Sequence, residues 1–73
     1  MGSDSDLPKI QGCIDTLKKL GVETTVRVMS AHRTPEAVSE FTEHAIGNGY
    51  GVIIAAAGGA AHLAGSVAAH TLL

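Results

Sequence analysis

The sequence predicts part of an α/β domain, with helices layered on a parallel sheet. Helical and strand-like patterns alternate along the chain, and its 9 glycines cluster where these patterns end. Aromatic residues make up only 3% of the chain, so a core must be built from Val, Ile, Leu and Ala. This combination suits helices layered on a parallel sheet better than a helical bundle or an all-β fold.

The first helix is predicted to begin with Asp6 as its N-cap and to end at Gly21. Apolar residues recur between these points at three- and four-residue spacing, which is typical of one buried helix face. They are Ile10, Cys13, Ile14, Leu17 and Leu20. We therefore expect the thiol of Cys13 to be an inert part of the core.

Two strands and two more helices are predicted to follow. Residues 22–29 alternate apolar and polar side chains, which is typical of a strand near the edge of a sheet. Residues 51–57 are apolar on both faces, as in a central parallel strand. Thr34 as cap and Pro35 in the first turn begin the second helix. The third helix is predicted over residues 62–72.

Length and charge exclude several classes of function. A net charge of −2 leaves no basic patch for nucleic acid, and the apolar run 52–57 is far too short to cross a membrane. The chain has 1 cysteine and no Cys/His spacing typical of a metal site. Because two strands cannot cover three helices, residues 1–73 are predicted to be a single partial domain. The first residues do not resemble a signal peptide, so we expect a cytoplasmic protein.

Three loops are expected to meet at one edge of the predicted sheet, because ligands of parallel sheets bind beyond the carboxyl ends of the strands. These loops are residues 2–6, 30–34 and 57–65. Each lies at or before the start of a helix, where free N–H groups attract an anion. Small residues dominate all three loops, so that backbone groups can approach a ligand closely.

The first two loops contain the side chains with the clearest chemistry. Serine hydroxyls of the first loop can donate to a phosphate, and Asp6 suits ribose hydroxyls as an acceptor, unless it serves only as a cap. Arg33 can bind a phosphate with its planar fork, or else pair with Glu36 on the surface. His32 can exchange protons near neutral pH, or else face solvent.

The other histidines fall into two groups. His62 lies in the third loop, where it lines a site or caps a helix. His44 and His70 fall inside predicted helices, and we expect both to be structural or surface residues. The third loop lacks the dinucleotide-binding glycine pattern and a P-loop lysine.

The three loops together resemble the 5-(carboxyamino)imidazole ribonucleotide mutases of purine biosynthesis. The matching motifs are MGSDSD at 1–6, SAHRTP at 30–35 and AGGAAHL at 57–63, and the resemblance covers essentially all 73 residues. The SAHRTP motif resembles the mutase class rather than the related carboxylases that use free carbon dioxide.

This resemblance implies a three-layer α/β/α sandwich of the flavodoxin-like kind with a parallel sheet, assembly as a homo-octamer and a small ribonucleotide substrate. It implies migration of a carboxylate from the exocyclic nitrogen to ring carbon 4, with no metal and no organic cofactor. His32 matches the residue that transfers the proton. Positions matching the substrate-binding residues are Ser3, Asp6, Ser30, Arg33, Gly58 and Leu63. Further candidates near them are Ser5, Gly59, Ala60 and His62.

The chain departs from the family pattern in two ways. Ala64 stands where the family usually has proline, which adds about 0.4–1 kcal/mol of unfolded-state entropy for folding to overcome. The family's first strand and the C-terminal half of its domain have no counterpart among the 73 residues. Two alternatives to an active mutase therefore stay open. One is a non-catalytic fragment for ribonucleotide binding or assembly, and the other is an inactive truncated product.

Overall fold

The computed structural model describes all 73 residues and contains three α-helices. They are α1 (Leu7–Lys19), α2 (Pro35–His44) and α3 (Leu63–Ala68), and a 3₁₀ helix (Asp4–Asp6) leads directly into α1. The predicted positions of α1 and α2 are confirmed. The third helix is shorter than predicted, because its hydrogen bonds end with turns at Ala69 and His70.

Gly21 ends α1 as predicted. Its φ is 74°, a left-handed conformation that glycine adopts without strain. The N–H of Gly21 donates to the carbonyl of Lys18, and the N–H of Val22 donates to that of Leu17. This pair of bonds is the Schellman motif, which satisfies the last carbonyls of a helix and turns the chain out of it.

The prediction that the side chains of Asp6 and Thr34 cap α1 and α2 is wrong. Each residue stands before its helix, but neither side chain makes a capping hydrogen bond. Asp6 already has helical backbone angles because it closes the 3₁₀ helix, and Ser3 caps that helix by accepting from the N–H of Ser5. The Thr34 hydroxyl is engaged instead with the backbone of Ser30.

The core is small and lies mainly around α2. Val38 of α2 and Ala45, which directly follows this helix, are fully buried, and α2 packs against α3. α1 buries only Ile14. The prediction that Cys13 is a core residue is wrong, since Cys13 is exposed.

Residues 22–29 and 51–57 are not strands in this structure. No backbone hydrogen bond joins the two segments, so no sheet ladder forms between them. Met1 and Gly2 lie between the segments and bond to both, to residues 27 and 29 on one side and to Ala56 on the other. The structure therefore does not confirm the predicted parallel sheet, since the two segments bond to Met1 and Gly2 but not to each other.

We expect that the isolated chain is not a stable monomer. Only 5 of 73 residues are buried, while Val52 is 75% and Ile54 60% exposed. Apolar side chains beside unpaired backbone groups favour association between chains. Size-exclusion chromatography with light scattering will show association or heterogeneous particles. A monodisperse monomer with a cooperative thermal transition would contradict this expectation.

Candidate active site

The three predicted loops surround one cavity of about 370 Å³. The first loop contributes the 3₁₀ helix to its wall, the second contributes the turn before α2, and the third contributes the turn before α3. The lining residues are Gly2, Ser3, Ser5, Asp6, Ser30, Ala31, His32, Ala57, Gly58, Ala60, Ala61, His62 and Leu63. The cavity therefore lies where three helices begin.

Ser30 organises the second loop through its side chain and its backbone. Its Oγ accepts from the N–H groups of His32 at 3.2 Å and Arg33 at 3.0 Å. Its N–H donates to Thr34 Oγ1 at 2.9 Å, and its carbonyl accepts from the hydroxyl and N–H of Thr34. This closed set of bonds fixes the turn that presents His32 to the cavity.

His32 meets His62 across the cavity. Nε2 of His32 lies 2.7 Å from Nδ1 of His62, and the ring centroids are 4.9 Å apart. One of these two nitrogens carries the proton and donates it to the other. Both rings are exposed to solvent through the open cavity, so an imidazole at this position can exchange protons with a bound molecule.

Arg33 lies beside the cavity rather than in its lining. One terminal nitrogen of its guanidinium, Nη2, donates to the carbonyl of Gly2 at 2.7 Å. This bond ties the second loop to the first, and it goes to Gly2 rather than to Glu36. The guanidinium carries five N–H groups, so donors remain for an anion bound next to the first loop.

The first loop places two hydroxyls and one carboxylate at the cavity. Ser3 Oγ and Ser5 Oγ share a hydrogen bond of 2.9 Å. Asp6 faces Gly58 of the third loop, where an added Cβ would lie 3.9 Å from Asp6 Oδ1. At that distance an added methyl group would make an ordinary contact, so the carboxylate lies next to the third loop without depending on glycine.

The third loop forms the apolar side of the cavity. Gly59 has a φ of 61°, which glycine tolerates, and Ala61 has a φ of 55°, which is uncommon for a residue with a Cβ. The N–H of Ala61 donates to the carbonyl of Gly58, closing a tight turn. Ala57, Ala60 and Ala61 contribute methyl groups, so this wall has few side-chain dipoles.

The structure brings together most of the residues that the sequence singled out. All but Arg33 and Gly59 line the cavity, and these two lie in its loops. Four further lining residues lie in the predicted loops but were not singled out individually: Gly2, Ala31, Ala57 and Ala61. Only their position in these loops could indicate them, since they have no reactive group of their own.

His44 and His70 lie away from the cavity and bond to their own helices. Nδ1 of each donates to the carbonyl four residues earlier, at 2.8 Å in both cases. No group of three or more His, Cys, Asp and Glu side chains is placed to hold a metal ion. No helix has the length and apolar character needed to cross a membrane.

This cavity of small residues, with a histidine and helix starts around it, is typical of a site for a small anionic molecule. A sequence profile of the family described as AIR carboxylase matches residues 1–73, and the chain belongs to that family. It is 55% identical over all 73 residues to an N5-carboxyaminoimidazole ribonucleotide mutase of Haemophilus influenzae, and covers 44% of that protein.

Other relatives show the same pattern. A protein of the same name from Escherichia coli K12 is 52% identical over 73 residues, with 43% of its length covered. A protein of Vigna aconitifolia named phosphoribosylaminoimidazole carboxylase, chloroplastic, is also 52% identical over 73 residues, with 13% covered. The chain thus spans less than half the length of the mutases that it matches.

Proposed function

We propose that this chain carries the substrate-binding loops and the proton-transferring histidine of a 5-(carboxyamino)imidazole ribonucleotide mutase. The observation that carries the proposal is the convergence of the three loops on one cavity, with His32 in its wall. The names of the bacterial relatives support the reaction class. The reaction would move the carboxylate from the exocyclic nitrogen to carbon 4 of the imidazole.

The proposed reaction proceeds through carbon dioxide. The bond between the carboxylate carbon and the exocyclic nitrogen breaks, and His32 donates a proton to that nitrogen. Carbon 4 of the aminoimidazole ribonucleotide then attacks the carbon dioxide, and His32, now neutral, removes the proton from carbon 4. One imidazole can perform both steps because it acts first as an acid and then, once neutral, as a base.

Separate parts of the cavity are assigned to separate parts of the substrate. The phosphate and the substrate atoms next to it are bound by the Arg33 guanidinium and by the hydroxyls of Ser3 and Ser30. The Asp6 carboxylate accepts hydrogen bonds from the ribose hydroxyls. Further contacts come from Ser5, Gly58, Gly59, Ala60, His62 and Leu63. The third loop, which is lined by methyl groups, holds the carbon dioxide. This part of the cavity has few side-chain dipoles, so it does not favour hydration of the carbon dioxide.

The rest of the proposed picture concerns the assembled enzyme. We propose a flavodoxin-like α/β/α sandwich with a parallel sheet, of which residues 1–73 form part of one domain. We also propose a homo-octamer acting in the cytoplasm without metal or organic cofactor. The exposed Val52 and Ile54 are consistent with burial in such an assembly. The chloroplastic relative indicates that the compartment differs among family members.

The proposal is tested in a chimera. Residues 1–73 replace the matching segment of the Haemophilus influenzae relative, which supplies the remainder of the family domain. We expect the chimera to convert the carboxyaminoimidazole ribonucleotide, and the absorbance of the product measures this conversion. An assembled chimera with no turnover would contradict the proposal.

Two further measurements separate the alternatives. Supplying aminoimidazole ribonucleotide with bicarbonate and carbon dioxide tests for a carboxylase, and faster product formation from these than from the carboxyamino substrate would favour that class. Calorimetry with the chain alone tests for a binding fragment. Ribonucleotide binding by an assembled but inactive chimera would favour the non-catalytic alternative.

Replacing Ser30 by Ala in the chimera is expected to lower its free energy of unfolding by about 1–2 kcal/mol. Two backbone N–H groups lose the Oγ acceptor, and each neutral hydrogen bond contributes about 0.5–1.5 kcal/mol. Denaturant unfolding measures the change. Ser66→Ala on α3 is the matched control, and an equal loss in both variants would show that the Ser30 turn is not special.

A further inference from the structure

A second cavity lies between residues 27–29 and one face of α2. Its volume is about 390 Å³, which falls within the range of about 300–1,000 Å³ that is typical of small-molecule sites. It shares no lining residue with the candidate active site, and no residue of the segments 1–6 and 51–57 lines it. The proposed mutase reaction therefore does not use the side chains of this second cavity.

Three hydrogen-bond acceptors follow one another along the α2 side of the second cavity. Glu40, His44 and Asn48 recur at four-residue spacing, which is typical of one helix face. The N–H of Asn48 donates to the His44 carbonyl at 2.9 Å, so this spacing continues through the turn after α2. His44 Nδ1 donates to the Glu40 carbonyl, and Nε2 of the neutral ring is therefore an acceptor. A carboxylate, a ring nitrogen and an amide oxygen match in number the three N–H donors of an ammonium group.

Arg27 brings the opposite charge to the same cavity from the facing segment. Arg27 and Glu40 each accept a hydrogen bond at their backbone carbonyl, but their charged groups have no hydrogen-bond partner within the chain. A guanidinium binds a carboxylate through two parallel N–H bonds. The cavity thus offers a cation and an anion that are not bonded to each other, and both remain able to bind a ligand.

The other lining residues are apolar. Met29 and Phe41 are half-buried, and Ala37 lies beside them on α2. The Phe41 ring is packed against the Tyr50 ring, with 5.4 Å between the centroids. A thioether, a methyl group and an aromatic ring make favourable contacts with an aliphatic or aromatic side chain.

These features together select one class of ligand. A simple anion would meet the charge of Glu40, a simple amine would leave Arg27 unpaired, and an apolar molecule would remove water from both charges without replacing it. We propose that the second cavity binds a free α-amino acid with an apolar side chain. Its carboxylate pairs with Arg27, and its ammonium donates to Glu40, His44 and Asn48.

Equilibrium dialysis of the chimera with isotopically labelled L-leucine tests this proposal. Isocaproate has the leucine skeleton without the ammonium, and isoamylamine has it without the carboxylate. We expect saturable leucine binding, and each analogue should compete about tenfold or more weakly than leucine because it lacks one charge-assisted set of hydrogen bonds. Either analogue competing as well as leucine would overturn the proposal. So would displacement of leucine by the ribonucleotide, which would place leucine in the candidate active site.

Two variants and a matched control assign the two charges. Arg27→Gln is expected to weaken leucine binding by about tenfold or more and to leave isoamylamine binding unchanged. Glu40→Gln is expected to weaken leucine binding equally and to leave isocaproate binding no weaker. Glu43→Gln changes the same group on α2 outside the cavity lining, and we expect it to keep the affinity for leucine. Equal losses at Glu40 and Glu43, or an assembled chimera without saturable leucine binding, would reject the site.

Discussion

Replacing His32 by Asn in the chimera is expected to lower turnover by about 10²–10⁴-fold while ribonucleotide binding stays within a few-fold. Asparagine keeps a hydrogen-bonding group at this position in the cavity wall but cannot carry a proton at neutral pH. The substrate is thus still held, whereas the exocyclic nitrogen loses its proton donor and carbon 4 loses its base. Steady-state turnover and calorimetry on the same preparation measure the two quantities.

His70→Asn is the matched control for this experiment. His70 has the same side chain and bonds to the carbonyl of Ser66 and to Ser39, away from the cavity. We expect it to leave turnover within a few-fold and to change stability alone. Turnover of the His32 variant close to that of the parent would remove His32 from the mechanism.

Replacing Arg33 by Ala in the chimera is expected to weaken ribonucleotide binding by roughly ten- to more than a hundredfold. A charge-assisted hydrogen bond contributes about 1.5–3 kcal/mol, which corresponds to this range in the dissociation constant. A surface pair with Glu36 would contribute only about 0–1 kcal/mol and leave binding nearly unchanged. Calorimetry with the ribonucleotide and with the dephosphorylated riboside separates phosphate binding from other effects, and we expect the riboside affinity to stay the same.

The contact between Arg33 and Gly2 makes the riboside measurement decisive. Because the guanidinium also holds the carbonyl of Gly2, its loss can displace the whole first loop. Such a displacement would weaken nucleotide and riboside equally, and that result would assign Arg33 to positioning instead of phosphate binding. Arg27→Ala removes the same charge from the wall of another cavity and serves as the control.

Local signals in the sequence were sufficient for α1 and α2 and for the loops of the site. Pro35 marks the start of α2 and Gly21 the end of α1, because their backbone preferences act within one turn. The motifs also predicted that His32 and Asp6 lie at one cavity, because each is in a loop that leads into a predicted helix.

Pairing between distant segments was not predictable in the same way. Residues 22–29 and 51–57 have the composition of strands, but a strand needs a neighbour, and the pattern of one segment does not contain its partner. The exposure of Cys13 has the same origin, since burial of a helix face depends on what packs against it. The hydrogen bond between Arg33 and Gly2 joins residues 31 positions apart, and the local spacing of residues around either one does not predict it.

Ala61 places chemistry and stability in opposition at one position. Its left-handed backbone carries a penalty of about 1–2 kcal/mol for any residue with a Cβ, and glycine would relieve it. Glycine would also remove a methyl group from the cavity wall that faces His32 and His62. A library of chimeras randomised at position 61 would therefore be enriched in different residues under selection for stability and under selection for activity. Selection for heat resistance would enrich glycine, and growth of a purine-requiring host would retain alanine.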